Sequence, residues 1–178
     1  MYSSSSYRQT ILGLTILFGW ANAGLTQGLP GDASSLTEGH GDWTISCVTP
    51  DGNVRCAITQ SQVSGENRQR VLAVELQPGP DDSATGNLVL PFGLLLSAGV
   101  TLQIDEQSPI GSLQFRTCLP AGCVVPLLFD RATLDLLDAG KTLNVTAKSS
   151  GDEKEIALGI SLNGFSTGLA RTRSLTER

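Results

Sequence analysis

The chain is poor in the residues that do chemistry. Its 178 residues include one histidine, one methionine and 12 Lys plus Arg against 17 Asp plus Glu, a formal net charge of −5. So acidic a chain lacks the basic surface that phosphate-backbone binding requires, which excludes nucleic acid as a partner. One His removes His-based metal clusters and leaves His40 as the lone imidazole candidate for acid–base work. No serine sits in a G-x-S-x-G elbow, and no glycine run has a dinucleotide-fold or P-loop spacing. No cofactor and no metal site is indicated.

Hydrophobic runs are short as well. The longest apolar stretch, Ile11 to Trp20, reaches only Leu25 when extended and falls short of the ~20 residues of a spanning helix. It follows a Ser-rich start with one base, Arg8, and precedes Ala21-Asn22-Ala23. This is the order of an export signal, residues 1–23, with cleavage between Ala23 and Gly24. Retention of the leader as an anchor is the alternative, and membrane contact is expected only in that case. Without residues 1–23 the chain carries 11 bases, 17 acids and five aromatic rings: Trp43, Phe92, Phe115, Phe129 and Phe165. All five lie in or beside apolar strand patterns, so core packing is their expected use.

The four cysteines form two close pairs, Cys47 with Cys56 and Cys118 with Cys123. Four cysteines allow three connectivities. Local pairing is favoured, because Thr49-Pro50-Asp51-Gly52-Asn53 and Leu119-Pro120-Ala121-Gly122 are turn formers that bring each pair together. The competing readings are weaker. Zinc sites favour C-x2-C spacing, a redox dithiol favours C-x-x-C, and exported thiols tend to pair.

Beyond a polar Gly/Ser-containing lead-in, residues 24–40, expected to be flexible, the chain alternates with a period of two. Trp43, Ile45 and Cys47 share one face, as do Leu72, Val74 and Leu76, and later Leu143, Val145 and Ala147. Leu113 to Cys118 and Cys123 to Phe129 read as a hairpin, Glu155 to Leu162 as a strand, and Gly164 to Leu169 as a last short one. One segment departs: Asp130 to Ala139 opens on an N-cap type, spaces Leu134 and Leu137 three apart, and ends at Gly140, a C′ type. The expectation is an all-β fold over residues 41–170, an antiparallel sandwich or barrel of about ten short strands with one short helix, two local disulfides and a C-terminal tail, residues 171–178.

The remaining polar candidates are weak. Asp81-Asp82 and Asp152-Glu153-Lys154-Glu155 lie in loops and do not match the calcium-loop pattern. His40, flanked by glycines in the lead-in, reads as solvated.

In order, Gly41-Asp-Trp-Thr-Ile-Ser-Cys47, Cys56-Ala-Ile-Thr-Gln60, Leu90-Pro-Phe-Gly through Gln103-Ile-Asp105, Phe115-Arg-Thr-Cys118 with Gly122-Cys123, Ala139-Gly-Lys-Thr-Leu143 and Ile160-Ser-Leu-Asn-Gly-Phe165 resemble the invasion-associated locus B family of bacterial exported proteins. The resemblance spans about residues 41–169. It implies a periplasmic or secreted envelope protein, named for host-cell invasion, and supplies no catalytic residue to transfer. The expected function is non-enzymatic binding of a protein or envelope component. The alternatives are an accessory subunit of a membrane complex and a hydrolase acting on envelope material.

Overall fold

The computed structural model describes residues 28–65 and 70–177; the expected cleavage site at Ala23 and Gly24 lies outside them. Eleven strands are found among these residues: β1 (Ser35–His40), β2 (Trp43–Val48), β3 (Arg55–Val63), β4 (Arg70–Pro78), β5 (Ala84–Leu90), β6 (Val100–Ile104), β7 (Pro109–Leu113), β8 (Thr117–Leu119), β9 (Gly122–Phe129), β10 (Thr142–Lys148) and β11 (Glu155–Ser161). They form a seven-stranded sheet, β1-β2-β3-β4-β5-β9-β8, and a four-stranded sheet, β11-β10-β6-β7. All pairings are antiparallel, so the fold is a sandwich.

The period of two sets which side chains go inside. Along β2 burial alternates strictly, with Trp43, Ile45 and Cys47 buried. β6 and β10 repeat the pattern through Val100, Leu102 and Ile104 and through Leu143, Val145 and Ala147. Trp43 and the inward residues of β6 and β10 join Leu72, Val74, Leu76, Leu88 and Val125 in one core. Each fully buried Leu or Val contributes on the order of 2 kcal/mol.

Helix α1 (Arg131–Ala139) follows the sequence expectation at its start. The Asp130 carboxylate accepts from the Thr133 N–H at 2.8 Å, and Leu134 and Leu137 are buried. Its end differs. Gly140 is extended, with φ −85°, and a Cβ there would come within 2.4 Å of Ile104 Cγ2. Close packing, rather than a left-handed cap, requires the glycine.

Four expectations give way. The lead-in 24–40 is not loose throughout, because Ser35–His40 pairs along its whole length with β2. Every second residue of β1 is exposed and it contains Gly39, so it lacks the apolar alternation by which a strand is recognised. Helix α2 (Phe165–Thr176) takes the place of the expected strand at 164–169 and of residues 171–176 of the expected tail, and buries Phe165, Gly168, Leu169, Thr172 and Leu175. That spacing is helical, but Gly and Thr occupy two of the five buried positions and hide the period. The strand expected over Leu113–Cys118 is divided. Leu113 ends β7 in one sheet and Thr117 begins β8 in the other. Phe92, expected in the core, is 62% exposed.

α2 packs across β1 to β4 and shares the inner face of the large sheet with the small one. The Trp43 and Phe165 rings meet at 5.2 Å with a 55° tilt. At the far end Leu175 closes a second cluster with Leu29, Ile45, Cys47 and Cys56. Gly168 permits this approach, since a Cβ there would lie 2.5 Å from Ile58 Cδ1.

Candidate binding surface

The cysteines pair locally. Cys47 faces Cys56 across β2 and β3, and Cys118 faces Cys123 across β8 and β9, with Cα separations of 4.1 and 3.9 Å. Strand register alone therefore sets each pair opposite. The first bridge is buried in the cluster under Leu175; in the second, Cys118 is exposed and Cys123 buried.

The polar groups singled out in the sequence are spread over the molecule, and His40, Asp82, Asp152 and Lys154 among them are engaged in pairs within the chain. His40 ends β1, only 24% exposed, with Nε2 at 3.5 Å from a Glu38 carboxylate oxygen. It is therefore less solvated than its Gly-flanked context suggests. Glu38 in turn accepts from Arg171 Nε at 2.9 Å and Nη2 at 2.7 Å. These bonds, reinforced by His40, hold the Glu38 carboxyl down at about 2 against a partial desolvation that opposes them. A carboxylate committed to a bidentate guanidinium is a poor general base.

Asp82 receives Arg131 and Arg173, and Arg173 Nη2 also donates to the Asp82 and Ser83 carbonyls at 2.7 and 3.2 Å. α2 is thereby pinned to the β4–β5 turn. Asp152 pairs with Lys154 at 2.8 Å, which lowers its pKa. Among the described residues no group of three His, Cys, Asp or Glu side chains is placed to hold a metal.

Gln60 and Gln62 carry a signal that sequence reading missed. They point inward from β3 toward the outer edge of β11. Gln60 donates to the Ser161 carbonyl at 2.9 Å and accepts from the Ser161 N–H at 3.1 Å, and Gln62 donates to the Gly159 carbonyl at 2.6 Å. Two amide side chains thus stand in for a missing neighbouring strand and blunt that edge. Trp43 Nε1 donates to the same Ser161 carbonyl at 2.8 Å.

The solvent face of the seven-stranded sheet differs in character. A groove of about 540 Å³ crosses it from β3 to β8. Register places Ser61 beside Ala73, Ala73 beside Val89, Val89 beside Val124, and Val124 beside Thr117. The floor is therefore a row of small apolar residues with a hydroxyl at each end. Arg70 lines the groove on the β3–β4 side, and Arg116, immediately before Thr117, lines it at the other. Neither arginine has an ion-pair partner among the described residues, whereas Arg131, Lys154, Arg171 and Arg173 all do. A second cleft continues past Ser61 and Arg70 to Phe92. Exposed Val63, Phe92 and Leu119 stand along this path, at 57%, 62% and 52% exposure. The strand alternation contained the floor residues, but only register shows that they line up.

The profile of the Invasion associated locus B (IalB) protein family matches residues 43–173, from the first core tryptophan through nearly all of α2. The chain belongs to the IalB family. An invasion protein B homolog of Brucella abortus (strain 2308) is 40% identical over 149 residues, covering 84% of this chain and 86% of the relative. Invasion protein B of Bartonella bacilliformis is 38% identical over 151 residues, covering 84% and 81%. The crystal structure of invasion associated protein B from Bartonella henselae superposes with a TM-score of 0.75 at 37% identity, over 80% of this chain and 98% of that one. The fold of this chain is thus that of the Bartonella henselae protein. Among the described residues no helix is long and apolar enough to cross a membrane.

Proposed function

We propose that this IalB-family chain is an exported envelope protein that acts by binding a protein or envelope component through the groove on its seven-stranded sheet, and not by catalysis. One observation carries the reading. The charged sets at Glu38, Asp82 and Asp152 are spent on internal pairs, while Arg70, Arg116 and the apolar floor between them face solvent without an internal partner among the described residues. Apolar area flanked by arginine is the composition of partner-binding surfaces. The leader-like N-terminus and two disulfides support export to an oxidising compartment. The names of the Brucella and Bartonella relatives support a role connected with invasion.

Site-specific photocrosslinking in the living bacterium tests the reading. A benzophenone amino acid in place of Leu119, beside the groove, is expected to give a discrete adduct. The same amino acid in place of Ser112, exposed on β7 of the other sheet, is expected to give none. Adducts at Ser112 with none at Leu119 overturn the groove as the binding surface.

A further inference from the structure

Resting on that reading, we infer that the groove takes an extended acidic peptide segment of its partner, running across the strands with one carboxylate at each end. The dimensions come from the register. Ser61, Ala73, Val89, Val124 and Thr117 are successive neighbours on five adjacent strands. Four strand spacings make a row about 19 Å long. An extended chain rises ~3.3 Å per residue, so two side chains six residues apart on one face lie about 20 Å apart. Arg70, at the start of β4 and paired with Val63, stands toward the Ser61 half of this row, and Arg116 immediately precedes Thr117 at its other end.

The chemistry selects the occupant. Between the arginines the floor is Ala73, Val89 and Val124, which suits small apolar side chains on the same face of the ligand strand. Hydroxyl and amide groups of Ser61, Thr117 and Asn87 border it. An acyl chain would bury these polar groups without a partner, whereas a peptide backbone supplies donors and acceptors for them. Nucleic acid, with a phosphate at every nucleotide, is disfavoured by Glu75 in the same groove and by the acidic whole, whereas a peptide acidic only at its two ends leaves a neutral stretch between them. On a chain of net charge −5, two arginines without an ion pair among the described residues, against the single acid Glu75, make the groove a local reversal of sign that an anionic ligand complements.

The test titrates the exported, 15N-labelled protein with the synthetic peptide acetyl-Asp-Ser-Val-Ser-Val-Ser-Asp-amide and follows backbone amide shifts. Saturable shifts are expected at Ala73, Val89 and Val124. Replacing both aspartates of the peptide by lysine is expected to abolish them. Arg70→Gln with Arg116→Gln is expected to weaken binding about tenfold, as two exposed charge-assisted pairs allow, while Arg70→Lys with Arg116→Lys retains most of it. Equal binding of the lysine peptide, or shifts confined to other surfaces, overturns the inference. So does a response of the same amides to phosphatidylglycerol vesicles but not to the peptide, which assigns the groove to a membrane. An adduct at Leu119 with no peptide binding keeps the groove as a partner surface and ends the acidic-peptide assignment alone.

Discussion

Arg171 holds Glu38 with two hydrogen bonds, of 2.9 and 2.7 Å, and so ties the last helix to the first strand across 133 residues of sequence. Both residues fall outside the β domain expected over 41–170, yet the elements that carry them together cover the flank of the large sheet. The pair is partly exposed, at 31% and 27%, which limits its strength to that of a well-formed surface bridge. Arg171→Met is expected to lower the urea midpoint of unfolding modestly, and by less in high salt.

The same pair makes an acid-range prediction. Glu38 is depressed from 4.5 to about 2 in the folded protein. Its contribution is therefore complete above the ordinary carboxylate value and fades as pH falls from about 4.5 through 2. Stability measured against pH in Glu38→Gln is expected to fall less steeply over that interval than in the parent. Parallel curves would show that Glu38 titrates normally.

Gly164 has φ +85°, and a Cβ there would sit 2.1 Å from the His40 carbonyl oxygen. Backbone is the obstacle, so no side-chain rotation relieves it. Gly164→Ala is expected to cost more than about 2 kcal/mol, combining left-handed strain with displacement of the β1–β2 turn. Thermal unfolding measures this directly, and Gly151→Ala, where the nearest atom is 3.9 Å away, serves as the tolerant control.

Gln60 is 6% exposed and satisfies both backbone groups of Ser161. Gln60→Leu keeps the volume and removes both bonds, an expected loss of about 2–3 kcal/mol. Hydrogen exchange at the Ser161 amide is expected to accelerate more than at Val145, inside the same sheet.

What could be read in advance depended on periodicity. Trp43, Leu102 and Val145 lie on strands whose alternation is unbroken, and their inward faces were legible residue by residue. The bridges were legible because a turn former stands between each cysteine pair. α2 was not, because Gly168 and Thr172 are buried for close approach and an internal hydroxyl bond at 2.8 Å rather than for hydrophobicity. The groove was not, because its floor belongs to strands far apart in sequence and exists only once Val89 and Val124 are in register. Gln60 shares the inward face of Cys56 and Ile58, but what an amide does there becomes visible only once a second sheet lies opposite it.

The two bridges should differ in access. Cys47 and Cys56 are 1% and 5% exposed, whereas Cys118 is on the surface. Timed reduction with alkylation and mass spectrometry is expected to label Cys118 and Cys123 first. Replacing Cys47 and Cys56 by alanine is expected to cost about 2–3 kcal/mol, through loop entropy together with loss of packing under Leu175.

The central claim, that the protein works by binding through this groove, meets its most direct test in a groove-filling variant. Ala73 faces the groove from the solvent side of β4, so Ala73→Trp fills the floor without entering the core. With the benzophenone at Leu119, the adduct yield is measured in the parent and in Ala73→Trp at matched protein level. The account predicts a loss of about tenfold or more, as expected when the centre of an interface is blocked. An undiminished adduct from a variant that melts at the parent temperature would contradict it.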